Sequence, residues 1–341
     1  MARDELILIE NRAKELFCNV LLNYHEDIQL VQLAKLPGLH LGTSIRNHND
    51  EKEISPKEFR HCVGTCSNFL MRKLYEDYFG TVIAQLTFYQ NYIRYAIPIP
   101  EPNHHLISII NMGQNSDTFY HKNDKHSFIN FRQILERFTG KRYEYYHNTN
   151  EKPSFINFEN PENCSHLSKP LIIILKEIFE FRKKHLNFGT DSHPFTNDDL
   201  MSLKSRIGTS SGELIRYCQI LEIPGYEIGV PYIRANTELL VPAADRSRRH
   251  IETCMRHMQR ERNFEQTGGV QFTLVLYKKI ARMTIPINEN FLVSISIDYW
   301  NSQKQNFSNL NADDTTVPEF TKKILTKINK FDEKIYNKFE L

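Results

Sequence analysis

Apolar residues recur at helical spacing through residues 4–24, at Leu6, Leu8, Ile9, Ala13, Leu16, Phe17, Val20 and Leu21. That period predicts an amphipathic helix. Two short extended runs follow, 28–36 and 39–45, on either side of Pro37-Gly38. Proline fixes φ and glycine tolerates positive φ, so the pair predicts a tight turn and a hairpin. Ser55-Pro56 reads as an N-cap with proline at the first helical position. Residues 57–79 then predict a long helix with Phe59, Val63, Cys66, Leu70 and Leu74 on one side, closed by Gly80. Three strand-like runs come next, at 82–89, 92–99 and 105–110, with Gln90-Asn91 turning between the first two. Pro98 and Pro100 give the second of these an irregular, edge-like end. A helix over 128–138, with Phe131, Ile134, Leu135 and Phe138 on one face, closes the series. The order is α-β-β-α-β-β-β-α.

The same order recurs further along. Tyr89, Arg94, Ile97, Pro98 and Ile99 are echoed by Tyr277, Arg282, Ile285, Pro286 and Ile287 at a constant offset (277 − 89 = 188). Between positions 60 and 99 this offset gives twelve identities in forty, several times chance, and these include Arg60, Cys66, Arg72, Gly80 and Leu86. Internal duplication follows. In the second copy Thr196-Asn197-Asp198 caps a helix beginning at 199, and the runs 214–223 and 226–233 repeat the hairpin around Pro224-Gly225. The offset is 187 at that turn and 188 by Ile233-Arg234, so one residue is inserted between them. Pro242 opens the long helix, with Ile251, Cys254, Met255 and Met258 expected inward. Strands at 270–277, 280–287 and 291–298 and a helix over 318–339 complete the copy. The boundaries are 1–139 for the first domain, 140–195 for a connector and 196–341 for the second domain. Within the connector, 165–188 predicts a helix that is apolar on more than one side, the mark of a helix buried between domains or against a partner.

Composition changes little in this picture. The chain has 341 residues, 40% of them hydrophobic, with 43 basic and 41 acidic side chains. So even a balance argues against wholesale binding to nucleic acid or an anionic membrane. The N-terminus reads as a helix rather than a signal peptide, and no apolar run approaches the roughly 20 residues of a membrane span. A cytoplasmic location is expected. The six cysteines are too few for a disulfide framework and are expected to be buried free thiols, with no metal site.

The strand block from Glu265 to Ser296 carries a resemblance. A glycine (Gly268), a tyrosine (Tyr277), then Ile285-Pro286-Ile287 and Leu292-Val293-Ser294 are similar to an uncharacterised archaeal roadblock-like family. Gly80, Tyr89, Ile97-Pro98-Ile99 and Leu106-Ile107-Ser108 repeat the pattern. The element order resembles the roadblock (dynein light-chain-like) fold, related to longin and profilin-like domains. The resemblance covers about 110 residues of each copy and leaves the connector unexplained. It implies an α+β fold of two tandem domains, each an antiparallel five-stranded sheet with flanking helices. It also implies pairing through sheet edges and central helices, as an intramolecular pseudo-dimer or a homo-oligomer, and a small GTPase as the partner class.

No catalytic constellation is present: no phosphate-binding glycine loop, no nucleophile elbow and no metal-binding histidine helix. No enzyme activity and no cofactor are therefore expected. Histidine-rich loops at 104–105 and 121–126 read as surface histidines. Interleaved tyrosines and basic residues at 141–146 could stack bases, but read as a surface loop. The repeated Arg94 and Arg282 stand in otherwise apolar strands, where an arginine must find a carboxylate, an interface or water. The second long helix carries Arg246, Arg248, Arg249, Arg256, Arg260 and Arg262, which reads as a solvated basic outer face. Arg94, Arg282, Arg249, Arg256 and Arg260 are the candidate partner-interface residues. The leading expectation is a non-enzymatic interaction or regulatory protein. The alternatives are a small-molecule sensor and, less favoured, a nucleic-acid-binding protein.

Overall fold

The computed structural model describes residues 18–24, 28–45, 56–89, 93–99, 105–111, 169–185, 195–210, 214–261 and 270–298. It is a mixed α/β structure. Helix α1 (Asn19–Leu22) precedes strands β1 (Ile28–Lys35) and β2 (Leu39–Ile45). Helices α2 (Pro56–Lys73) and α3 (Glu76–Phe79) lead to β3 (Val82–Tyr89), β4 (Ile93–Ile99) and β5 (His105–Asn111). Helices α4 (Lys169–His185) and α5 (Asn197–Ser210) precede β6 (Ile215–Glu222), β7 (Tyr226–Glu227) and β8 (Tyr232–Ile233). Helix α6 (Ala243–Glu261) is followed by β9 (Val270–Tyr277), β10 (Ala281–Pro286) and β11 (Phe291–Ile297). The expected helices at 128–138 and 318–339, the loop at 141–146 and the histidine loop at 121–126 lie outside the described residues.

All strands join one eleven-stranded sheet in the order β2-β1-β5-β4-β3-β9-β10-β11-β6-β7, with β8 also on β6. Every pairing is antiparallel. The middle of the sheet is the β3·β9 pair, where Leu86 faces Leu274, Thr87 faces Thr273 and Phe88 faces Phe272. β4 and β10 are interior strands, and the irregular end expected of β4 at Pro98 shows on one side, where its pairing with β3 stops. Proline is tolerated because Pro98 and Pro286 lie beyond the last pairs with β3 and β9, at Ala96↔Gln85 and Thr284↔Thr273.

The alternation of β-strand side chains divides the sheet into two unlike faces. One is apolar. Leu86, Phe88, Tyr95, Phe272, Leu274, Met283 and Ile295 pack there with Leu21 of α1, Leu171, Ile174 and Leu175 of α4, and Leu203 and Ile207 of α5. The apolar connector helix α4 is thus part of this core. The other face alternates in with Gln85, Thr87, Thr273, Thr284, Ser294 and Ser296, all buried. It is joined by Cys66 and Phe69 of α2 and by Tyr75 and Phe79, which pack on Val275 and Tyr277.

Two local expectations change, and the expected cap at Thr196 holds with its helix starting at Asn197. The helix predicted over 57–79 is two helices, because Tyr75 and Phe79 turn inward after a break at Leu74. Gly80 has φ +77, and a Cβ there would lie 2.9 Å from that of Lys278, so glycine is required both for the turn and for the close approach. The cap of α5 is Thr196: its Oγ1 accepts from the Asp199 N–H at 3.2 Å, while Asp199 Oδ2 accepts from the Thr196 N–H at 2.9 Å. The strand expected at 226–233 is broken into β7 and β8. Gly229 takes φ +62 inside the break, and Pro231 has no N–H for a ladder. The one-residue insertion falls within this interruption.

Candidate functional site

The helix α6 presents the face that the sequence reading placed in water. Arg249, Arg256 and Arg260 are buried at 9%, 1% and 4% exposure, while Ile251 and Met255 are exposed at 45% and 48%. Both expectations for this helix are therefore reversed for those residues. The cause is the sheet face below, which offers hydroxyls, amides and tyrosine rings where a guanidinium finds acceptors and π-faces. Cys254 is buried as expected, and Met258 is half-buried beside it.

Tyr75, carried inward by the break between α2 and α3, organises the layer. Its hydroxyl accepts from Arg256 Nη2 at 2.7 Å and donates to the Arg249 carbonyl at 3.3 Å. The guanidinium carbons of Arg249, Arg256 and Arg282 lie 4.3, 4.9 and 5.6 Å from its ring centroid. Arg282 also lies 5.4 Å from the Phe79 centroid and donates to Ser294 Oγ at 2.9 Å. Of the carboxylate, interface or water left open for Arg282, none of the described carboxylates is used: its partners are a hydroxyl and two rings. Arg94 is half-buried, 3.3 Å from Thr65 Oγ1 and 5.9 Å from the Tyr89 centroid. So the sequence-chosen Arg249, Arg256, Arg260 and Arg282 meet, joined by Arg72, which the repeat had marked only as an identity. Arg72 and Arg260 are the same position of the two copies (260 − 72 = 188).

The charge balance is unusual for an interior. Among the described residues, Glu252 is the one carboxylate bonded to Arg72, Arg249, Arg256, Arg260 or Arg282. It takes Arg249 at 3.2 Å and approaches Arg256 at 3.8 Å. Burial, reinforced by Arg256, pushes Arg72 well below the usual arginine range. Burial also brings Arg260 down to about 10. Among the described residues, Nε of Arg72, Arg249, Arg256 and Arg282 has no hydrogen-bond acceptor. Buried polar groups are ordinarily satisfied, so this cluster of orphan donors singles the layer out as the candidate site.

The layer opens to a cleft between Phe79 of α3, β6, the segment before α6, and β10. Arg246, Arg249 and His250 of α6, Arg216 of β6 and Arg282 of β10 line it. Arg216 is neutralised by Asp298, which also holds Arg234. His250 stands between the Tyr217 hydroxyl at 3.1 Å and Glu227 at 3.1 Å. Burial, and after it the Arg282 charge, lowers its pKa to about 4. Among the described residues Arg246 makes no ion pair, and its buried Nε has no acceptor.

The four described cysteine side chains, Cys18, Cys66, Cys218 and Cys254, are buried and unbridged, as expected of free thiols. Burial pushes the Cys218 and Cys254 thiols up to about 12, where they are unreactive. No described helix is long and apolar enough to cross a membrane. No known protein family matches the chain, and no curated protein matches it significantly.

Proposed function

We propose that this chain is a non-enzymatic regulatory protein in which two roadblock-like halves are paired within one polypeptide. The observation that carries the reading is the central β3·β9 pair, in which Leu86 opposes Leu274. These two are the same position of the duplicated sequence (274 − 86 = 188). A pairing through equivalent positions is what an isologous two-fold contact produces. Covalent linkage holds the halves at high effective concentration, and pairing removes two of the four edges that separate sheets would expose. The permanently joined sheet then serves as a rigid frame for a partner. A small GTPase is the partner class that the roadblock resemblance implies.

The test is co-purification with small GTPases of the source organism, loaded with GDP or with a non-hydrolysable GTP analogue. Retention that depends on the nucleotide supports the reading. Equal recovery with both nucleotides, or none, counts against a regulatory role on GTPases.

A further inference from the structure

We propose that the cleft between α3, α6 and β10 binds a small ligand with an oxyanion head, a carboxylate or phosphate monoester, on an apolar body. The head is assigned by the three guanidiniums that line the cleft, Arg246, Arg249 and Arg282, whose Nε atoms lie buried in its walls without an acceptor among the described residues. Arg282 at the floor uses Nη2 on Ser294, and its Nε is buried with no acceptor. Arg249, on the first turns of α6, engages Glu252 and the Leu74 carbonyl through its terminal nitrogens and leaves Nε unmatched. Arg246, one helical turn earlier, leaves its own Nε buried and unmatched. Three guanidiniums from two elements thus converge on one space, which suits the paired donor geometry that arginine presents to oxyanions.

Charge points the same way. Asp298 is taken by Arg216 and Arg234, Glu252 by Arg249, and Asp245 accepts the Tyr78 hydroxyl at 2.6 Å. Glu227 lies against His250 at 3.1 Å, and among the described residues no carboxylate is bonded to Arg246 or Arg282. An anion entering the cleft neutralises both, in a water-poor setting where such attraction is strengthened.

The body is assigned by the walls and by size. Phe79, Ile280, Leu240 and Val241 supply apolar surface around the arginines. The cavity volume is about 40 Å³, where one water needs ~10–15 Å³. That is room for about three or four water-sized groups, enough for the oxyanion head, with the body extending from the cleft along these apolar walls. The ligand titration involves no GTPase, so the two proposals fail independently.

The test uses the full chain in thermal-shift and calorimetric titrations with inorganic phosphate, benzoate and phenyl phosphate. The expected result is a saturable rise in melting temperature, with benzoate or phenyl phosphate effective at lower concentration than inorganic phosphate. Preference between those two distinguishes a carboxylate from a phosphate head. Arg282→Gln and Arg246→Gln are each expected to weaken binding by ~10-fold or more, the usual effect of losing a charged hydrogen bond. Arg246 is only half-buried, so its variant keeps the test alive should Arg282→Gln fail to fold. Arg248→Gln, on the exposed side of α6, is expected to bind as the unaltered chain does. Absence of a saturable shift with all three probes overturns the proposal. So does unchanged affinity in Arg246→Gln.

Discussion

Leu86 lies directly opposite Leu274 at the centre of the sheet, and both are fully buried. Directly opposed residues of an antiparallel pair bring their Cβ atoms within about 4.5–5.5 Å, so the two side chains stabilise the join together. Leu86→Ala and Leu274→Ala are each expected to cost about 2–5 kcal/mol, through lost transfer energy and the cavity left behind. Their equivalence in the duplicated sequence predicts similar costs. Their contact predicts a double variant that departs from additivity by at least ~0.5 kcal/mol. Denaturant unfolding of the two single variants and the double variant measures all three quantities. Strict additivity would place the leucines in separate environments.

Tyr75 holds two arginines of α6 through one hydroxyl. Tyr75→Phe keeps the ring under Arg249, Arg256 and Arg282 but removes the acceptor for Arg256 and the donor to the Arg249 carbonyl. Arg256 Nη2 keeps only Thr253 Oγ1 at 3.1 Å, and the loss of a charged hydrogen bond in a buried layer costs about 1–3 kcal/mol, a loss of stability expected in chemical denaturation. Tyr75→Leu removes the π-face too and is expected to cost more. If both variants cost the same, the rings contribute no cation–π attraction.

The strands and the duplication were legible because two periods, 2 and 3.6, and a fixed offset are properties of the chain itself. Phe88, Tyr95, Phe272 and Met283 announce one apolar face of the sheet directly. The arginine layer was not legible for a physical reason: Arg249, Arg256 and Arg260 normally mark the solvated side of a helix. What buries them is the opposite sheet face, spelled by Thr87, Thr273, Thr284 and Ser294, and the inward turn of Tyr75 after α2. The signal available was joint. Arg249, Thr253, Arg256 and Arg260 recur at helical spacing, and Thr and Ser alternate along the strands that follow. Neither half of that pattern decides burial alone. The mixed α/β class is as expected. Arg246, Phe79, Tyr217 and His250 of the cleft come together only through tertiary packing.

His250 gives the fold a defined acid sensitivity. Its folded pKa is lowered to about 4, by burial first and the Arg282 charge second, against an unfolded value of about 6.5. Between those values the unfolded chain binds a proton that the folded chain does not, so stability rises with pH there. The contribution is fully present above about pH 6.5 and is lost progressively as pH falls towards 4. His250→Gln is expected to flatten this part of the stability–pH curve relative to the unaltered chain. Melting temperatures of both proteins from pH 4 to 7.5 provide the comparison, and parallel curves would remove His250 as the source.

Arg182 ties the connector helix α4 to the second Ile-Pro-Ile strand. Its Nε donates to the Ile287 carbonyl at 3.1 Å, and Nη2 donates to the Pro286 carbonyl. Arg182 is 5% exposed, so without it two strand-end carbonyls lose their donors in a place water barely reaches. Arg182→Leu preserves the apolar stem and removes both donors, with an expected cost of about 2–4 kcal/mol from the stranded acceptors. Arg182→Lys keeps the charge but lacks the planar fork, so it should recover only part of that loss. The order unaltered, Lys, Leu in denaturant midpoints at an unchanged slope is the expected outcome. A Leu variant as stable as the unaltered chain would show that the carbonyls need no partner and that α4 is held by its apolar face alone.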